Sequence, residues 1–381
     1  MKKLLGLLLL TLLTLTLSLA ALPYIGVNIS LAELFGRTFT ALKSDTPATF
    51  SSLDFLQLKP YISGLKAPRF MYITDTGDLI FSEPEDGTVF LVPYNQPDKK
   101  QELVSGLNYP HSMDVHQGYL YIAEKNAIGR IKFNATNKKT SGEYTRIINN
   151  IPDDGGHWTR TIKFGPDGYA YVSIGSSCNV CIEKNPLRAT ITRFKPDNPE
   201  LELFSTGLRN SVGFDWSPVD GKLYATENGR DWLGDHFPPD ELNLIEKNNF
   251  YGWPYANGDR VPDPKYGKGH ESLIEKSVPP VFNFGAHNAP LGITFIRNPD
   301  SKLYQQALVA LHGSWNSSKK VGYKVVSLTI KEGNITSRDL ITGFLKNGEV
   351  LGRPVHIVEG KHNELYLSDD FKGVIYRITQ K

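Results

Sequence analysis

Beyond an apolar N-terminal stretch, polar and apolar residues alternate in short runs that fit strands rather than helices. The runs recur as one unit. A glycine or proline turn precedes a short apolar segment, and an Asp/Gly turn then leads into an aromatic-rich strand that often ends on an acid. The first copy runs from Gly64-Leu-Lys-Ala-Pro-Arg69 to Thr76-Gly-Asp-Leu-Ile-Phe-Ser-Glu83, the second from Gly106-Leu-Asn-Tyr-Pro-His111 to Gln117-Gly-Tyr-Leu-Tyr-Ile-Ala-Glu124. The third begins at His157 and reaches Asp167-Gly-Tyr-Ala-Tyr-Val-Ser-Ile174; the fourth joins Gly207-Leu-Arg-Asn210 to Asp220-Gly-Lys-Leu-Tyr-Ala-Thr-Glu227. A weaker fifth pairs Pro290-Leu-Gly-Ile-Thr-Phe295 with Ala307-Leu-Val-Ala-Leu311, and the last runs from Gly352-Arg-Pro-Val-His-Ile357 to Asn363-Glu-Leu-Tyr-Leu-Ser-Asp-Asp370.

Six copies at a spacing of roughly 40 to 60 residues predict an all-β fold, a six-bladed β-propeller with four-stranded antiparallel blades. Regular strand spacing alone would also fit a two-layer sandwich. The 381 residues exceed the size at which a single core stops growing, but a propeller adds a small core per blade and remains one domain. The 34 glycines, 24 prolines and 11% aromatics suit such a turn-rich chain.

The N-terminus carries a targeting pattern. Met1-Lys-Lys3 precedes a Leu/Thr-rich run, and Ser18-Leu-Ala20 offers a cleavage site, so residues 1–29 are expected to be a signal peptide or a retained membrane anchor. Either way the folded part is exported, to the periplasm, the exterior or the outer face of a membrane. Residues 30–59 read as a stalk or linker and residues 60–381 as the propeller. Asn28, Asn134, Asn316 and Asn334 stand in glycosylation sequons, of consequence only in a glycosylating host.

A net charge of +2 gives no reason to expect a nucleic-acid partner, so any basic site is local. Cys178 and Cys181 are followed by Ile182 where haem attachment needs histidine, and zinc would need two more ligands; a small structural disulfide is expected of an exported chain.

Matching positions in successive copies form a circle at one mouth of a propeller's channel. Arg69, His111, His157 with Arg160, Arg209 and Arg353 would share that rim, a cluster suited to a compact polyanion because guanidinium forks match carboxylate and phosphate. The alternative is that these arginines pair with the strand-end acids Glu83, Glu124 and Glu227. The excursion Glu227-Asn-Gly-Arg-Asp-Trp-Leu-Gly-Asp235 and the segments around Asp240-Glu-Leu-Asn243 and Tyr251 are rich in the oxygens calcium requires, although an ordinary polar loop has the same composition. Trp158 either stacks on a substrate or caps its blade. His312 and Trp315 either face a ligand or form a buried turn, and His236, His270, His287, His356 and His362 read as structural or exposed.

Phe164-Gly-Pro-Asp-Gly-Tyr-Ala-Tyr-Val-Ser-Ile-Gly175, Thr206-Gly-Leu-Arg-Asn210, Asp240-Glu-Leu-Asn243 and Phe250-Tyr-Gly-Trp-Pro254 resemble the pyrroloquinoline-quinone (PQQ)-dependent aldose sugar dehydrogenases, which include soluble glucose dehydrogenase. Ser176-Ser-Cys-Asn-Val-Cys181, His312-Gly-Ser-Trp-Asn316 and Gly352-Arg-Pro-Val355 are more similar to the sorbosone dehydrogenase branch. The resemblance runs from about residue 64 to the C-terminus and implies a six-bladed propeller that holds PQQ, a flat tricarboxylate, over its channel. It implies that His111, Arg160, Arg209, Asn210, Asn228 and Arg353 bind the cofactor, together with a lysine that falls on Lys320 or Lys324 and is assigned to Lys324. It further implies calcium held by backbone carbonyls around Gly229 and Arg230, and a second, structural calcium at Glu241 and the Tyr251 carbonyl. The expected reaction oxidises the anomeric hydroxyl of an aldose or a related sugar aldehyde with hydride transfer to PQQ. His157 is the general base, because neutral imidazole accepts a proton near neutral pH, and Arg209 with calcium stabilises developing charge. An external cytochrome, quinone or dye would then take the electrons. The chain departs from the glucose dehydrogenase pattern at the shortened His157 turn and in retaining one arginine near Arg353. Two other classes remain on sequence alone, a calcium-dependent sugar lactonase and a non-catalytic exported binding propeller.

Overall fold

The computed structural model describes residues 50–381. Six antiparallel sheets form the blades, and in each the strand nearest the axis is the short apolar segment that follows the glycine or proline turn. These inner strands are Met71–Ile73, Ser112–His116, Ile162–Phe164, Ser211–Trp216, Pro290–Phe295 and Pro354–Glu359. The aromatic strands that mark the repeat lie second, at Leu79–Glu83, Tyr119–Ala123, Ala170–Ile174, Leu223–Glu227, Ala307–Leu311 and Leu365–Asp369. Every residue of five of them is buried, because adjacent blades cover both faces. That double burial explains runs such as Ala307-Leu-Val-Ala-Leu311, which are apolar throughout where a half-exposed strand would alternate. Outer strands such as Lys139–Ile148 are mostly exposed and polar. The apolar core is accordingly divided among separate clusters lying between blades.

The chain closes on itself. The sixth blade takes its three inner strands from the C-terminus and its outer strand, Leu56–Ile62, from the N-terminal side, paired with Val374–Gln380. Ser51–Ser52 adds a fifth strand to the fifth blade through Ile341 and Thr342. The linker expected to extend to residue 59 therefore gives way to blade structure within residues 50–59. Its Leu56 and Leu58 belong to the apolar cluster between the last two blades, which the polar character of the neighbouring residues concealed. The expected targeting segment and most of the expected stalk lie outside the described residues. Among the described residues, no helix is long and apolar enough to cross a membrane.

The strand-end acids have a repeated duty. Glu83 accepts the Lys66 backbone N–H at 2.7 Å, Glu124 that of Asn108 at 2.6 Å, Glu227 that of Arg209 at 2.5 Å and Asp369 that of Arg353 at 3.0 Å. Each acid thus latches the turn that begins its own copy, which answers the alternative posed for the rim arginines: the acids are engaged by the turns' main chain. The channel is interrupted by Phe70, Val212, Leu291 and Val355, which pack together on the axis. Val212 and Leu291 floor a cavity at one mouth, and Phe70 faces another at the opposite mouth.

Candidate functional site

The turns that enter the inner strands open onto the first mouth. They enclose a cavity of about 450 Å³ whose lining includes Arg69, His157, Trp158, Arg209, Asn210, Asn228, Gly229, His312, Trp315 and Arg353.

Two close backbone approaches place His157. Gly155 has φ +83°, and a Cβ there would lie 2.0 Å from the Ser177 carbonyl; one on Gly175 would lie 2.6 Å from Asn210 Oδ1 and 2.8 Å from His157 Cβ. Only glycine lets these loops meet. His157 Nδ1 then sits 2.9 Å from both the carbonyl and the Oγ of Ser176. The carbonyl can only accept, and the Ser176 hydroxyl donates its own hydrogen to the Cys178 carbonyl at 2.7 Å. Nδ1 must therefore carry the proton, which leaves the Nε2 lone pair unprotonated. Burial first, then the Arg209 charge, lowers the His157 pKa to about 3, so the ring is neutral.

Arg209 is buried, and the protein uses all five of its guanidinium donors. Nε donates to Asn179 O at 2.9 Å, Nη1 to Asn228 O at 3.0 Å and Gly229 O at 2.8 Å, and Nη2 to Asn179 Oδ1 at 2.9 Å and Asp231 Oδ2 at 3.2 Å. A ligand here meets a fixed charge rather than a free N–H. Arg353 spends only two donors, on the carbonyls of His312 at 3.1 Å and Gly313 at 2.8 Å. Arg69 pairs with Asp370 at 2.6 Å, and its guanidinium lies 5.4 Å from the Trp158 ring centroid. Asp370 also holds His312 Nε2 at 2.9 Å, and that histidine's pKa is lowered to about 4 by burial and then by Arg353.

The expected rim is thus gathered in part. Arg69, His157, Arg209 and Arg353 line the cavity together with Asn210 and Asn228. Arg160 does not: fully buried, it donates to the carbonyls of His157 at 2.9 Å, Thr159 at 2.7 Å and Pro152 at 2.7 Å, and so braces the turn that carries the histidine. His111 is also below the surface, against Phe70 and the edge of Trp158, with Nδ1 3.1 Å from the Arg160 carbonyl. Lys324 starts the third strand of the fifth blade, two strands out from the axis, and pairs with Asp339 at 2.7 Å; Lys320 reaches the Gly348 carbonyl at 3.0 Å. Neither lysine lines the cavity.

The Gly229 carbonyl, expected to face calcium, is occupied by Arg209, while the Arg230 side chain is buried in a pair with Asp263 at 2.6 Å. A different oxygen cluster lies behind them. Glu227 and Glu241 stand directly opposite on neighbouring strands with Asn243 donating to both, at 3.3 and 3.1 Å. Burial pushes Glu241 and Asp240 up to about 7, and Glu227 is raised by burial and by Glu241. Tyr251 is buried in the adjoining segment, its N–H on the Thr206 carbonyl at 2.9 Å. Opposed, desolvated carboxylates are a donor set that favours a hard cation. Asn210 Oδ1 and Asn228 Oδ1, both on lining residues, are buried without a hydrogen-bond partner, as a site built for a further ligand requires.

Several site residues escaped sequence reasoning. Asp231 and Asp240, which the sequence offered only as oxygens of a calcium-like stretch, and His287, read there as structural or exposed, all line the cavity; Asp240 opens the third strand of the fourth blade, Asp240–Ile245. Asp370 had a signal, since the last copy ends in two acids where others end in one. Trp315 is half exposed at the cavity edge and meets Trp232 edge-on at 5.9 Å, so the tryptophan stands out of a turn whose neighbours Ser314, Asn316 and Ser317 are buried. Cys178 and Cys181 form the expected disulfide. Asn316 is fully buried and bound to Asp231, which removes it as a glycosylation acceptor.

A six-bladed propeller with an arginine- and amide-lined cavity over a plugged channel defines the class. Within it the chain belongs to the TrAA12-like family, whose model matches residues 54–381. An uncharacterised protein of Borreliella burgdorferi is 32% identical over 82% of this chain and 86% of its own length. The PQQ-dependent pyranose dehydrogenase of Coprinopsis cinerea is 25% identical over 85% of this chain but only 54% of its own length, so the chain spans about half of that relative. The holo form of that enzyme's PQQ domain superposes with a TM-score of 0.74 at 20% identity, covering 89% of this chain and 98% of the domain. The calcium structure of the Trichoderma reesei family AA12 enzyme gives a TM-score of 0.76 at 21% identity, covering 90% and 99%.

Proposed function

We propose that this protein is a quinoprotein oxidoreductase that oxidises the anomeric hydroxyl of an aldose, or a related sugar aldehyde, with PQQ in the channel-mouth cavity and His157 as general base. The observation that carries the proposal is the His157 tautomer: Nδ1 is tied to Ser176 and Nε2 is left as a lone pair beside Arg209. PQQ, when bound, supplies the two-electron acceptor. The unspent donors of Arg353 and Arg69 suit carboxylates of the cofactor, and the unpartnered Asn210 and Asn228 oxygens suit its donors or a calcium ion. Arg209 contributes charge at fixed geometry, and its low mobility is what electrostatic stabilisation requires. His157 takes the hydroxyl proton as the anomeric C–H bond breaks. An anionic ligand in the cavity raises its pKa from about 3 toward working pH, which strengthens it as a base. Glu241 and the Tyr251 carbonyl would hold a structural calcium, with Glu227, directly opposite Glu241 on the neighbouring strand, as a further oxygen donor.

The sugar lactonase reading is disfavoured because Asp231 and Asp370 are spent on arginines, and a purely binding propeller gives no reason for the tautomer. The protein acts outside the cytoplasm, with residues 1–29 as signal peptide or tether, and an external carrier removes the electrons.

Purified protein mixed with PQQ and calcium should show a cofactor absorbance change and reduce a dye acceptor with at least one of a panel of aldoses. His157→Ala should still bind PQQ while turnover falls by about 10²- to 10⁴-fold. Absence of both spectral change and dye reduction with every aldose would sink the proposal, and retained turnover in the variant would remove the assigned base.

A further inference from the structure

The disulfide-closed loop is joined to both proposed catalytic groups, and packing does not require that. Cys178 and Cys181 are bridged around Asn179 and Val180, and Glu183 closes the loop by accepting the Ser177 N–H at 2.6 Å and hydroxyl at 2.9 Å. From this loop Asn179 makes five contacts. Its carbonyl accepts Arg209 Nε at 2.9 Å and Trp253 Nε1 at 3.4 Å, its Oδ1 accepts Arg209 Nη2 at 2.9 Å and the Asp231 N–H at 2.8 Å, and its Nδ2 donates to the Asp231 carbonyl at 3.1 Å. Asp231 in turn pairs with Arg209. The same loop supplies the Cys178 carbonyl that orients the Ser176 hydroxyl behind His157.

We infer that Asn179 is a positioning residue of the active site, and that the Cys178–Cys181 disulfide serves to hold it against Arg209 and Asp231. A single amide side chain, through its NH2 and its oxygen, satisfies both backbone groups of Asp231 while accepting from the guanidinium. Alanine cannot substitute for this, whereas aspartate preserves the acceptor to Arg209 and to the Asp231 N–H and gives up only the donor to the Asp231 carbonyl. Losing Oδ1 frees one end of the guanidinium fork, which then rotates or draws in water. Opening the disulfide releases the carbonyl as well. The inference rests on the functional reading above for its catalytic consequence, but its geometric content does not.

Two measurements separate the two. In cofactor-free protein, butanedione labelling of Arg209, read by mass spectrometry of its peptide, should be slow in the native protein and in Asn179→Asp. It should be about ten-fold or more faster in Asn179→Ala and in the Cys178→Ser/Cys181→Ser double variant, the cost of a lost charge-assisted hydrogen bond, while Arg353 labels at the native rate throughout. In PQQ-loaded protein, Asn179→Ala should lose about ten-fold or more in kcat with sugar KM within about three-fold, and Asn179→Asp should recover most of it. Native-rate labelling of Arg209 in Asn179→Ala overturns the inference. So does a rise in Arg353 labelling equal to that of Arg209, which would mean the loop merely holds the fold together. Changed Arg209 labelling in a protein that binds no PQQ leaves the positioning role standing and rejects the functional reading instead.

Discussion

His157 and His356 show how little residue type says about role. His157 is half-buried at the cavity and His356 buried, yet both are neutral, with pKa values lowered to about 3, first by desolvation and then by nearby cations, Arg209 for one and Lys163 for the other. His157 carries its proton on Nδ1 and faces a ligand cavity, whereas His356 Nδ1 accepts the Met71 N–H at 3.1 Å and its ring stacks on Phe70 at 4.2 Å. Protonating His356 would set two N–H groups against each other. An unfolded histidine binds its proton near pH 6.5, so below that pH the unfolded state takes up protons that the fold refuses. The stability due to such a group is complete above about 6.5 and is lost as pH falls toward 3, at about 1.4 kcal/mol per pH unit for each histidine. Asp240 and Glu241, raised to about 7, act in the opposite sense over the same window. The test is therefore a difference: in denaturant titrations at pH 4.5, 5.5 and 6.5, the stability of His356→Gln relative to the native protein should rise as pH falls, by the share of one histidine. The sequence marked His356 as structural, and it is; it placed His111 and Arg160 on the rim, where the register is right but the side chains turn inward. One residue of register fixes which turn a side chain belongs to, but its direction depends on carbonyls from the preceding loop, as the Arg160 contacts to Pro152 and Thr159 show.

At the scale of elements, the legible parts were those with a period. The second strands stand where the Asp/Gly-led segments predicted them, including the weak fifth copy at Ala307–Leu311. Loops without a period, above all the fourth-blade excursion with its helix Glu271–Lys276, gave composition but no positions, and Asp231 and His287 could not be placed at the cavity for that reason. The 155–160 turn is decided by its contact with the disulfide loop. Gly155→Ala would place a Cβ 2.0 Å from the Ser177 carbonyl at φ +83°. Neither strain is relieved without moving main chain, so the variant should lose about 1–3 kcal/mol of stability by thermal unfolding. Its turnover should fall further than the stability loss explains, because the displaced element carries His157. Gly156→Ala, with nothing within 4 Å of the added Cβ and no positive φ, is the matched control for stability and should retain it; because Gly156 lines the cavity, turnover is not compared there.

At the scale of the molecule, the site depends on a closed ring. Its cavity takes residues from several blades, so any opening between the first and last blades separates Arg69 from Asp370, neighbours in space at 2.6 Å but 301 positions apart in the chain. The joint is held by the pairing of Leu56–Ile62 with Val374–Gln380, and it is fastened by Leu56 in a cluster with Tyr376 and Ile378. A chain beginning at residue 50 keeps every one of these contacts and sets the reference melting temperature. A chain beginning at residue 63 exposes the edge of Val374–Gln380 and uncovers that cluster. It should lose cooperative unfolding or aggregate, since an unpaired apolar edge recruits other strands. If the shorter chain instead kept the full melting temperature, the outer strand would be an ornament and ring closure would rest on the inner strands alone. Adding the 50–62 peptide in trans distinguishes a missing strand from a misfolded remainder: recovery of the transition at saturating peptide is expected only if the remaining residues already hold the propeller's shape.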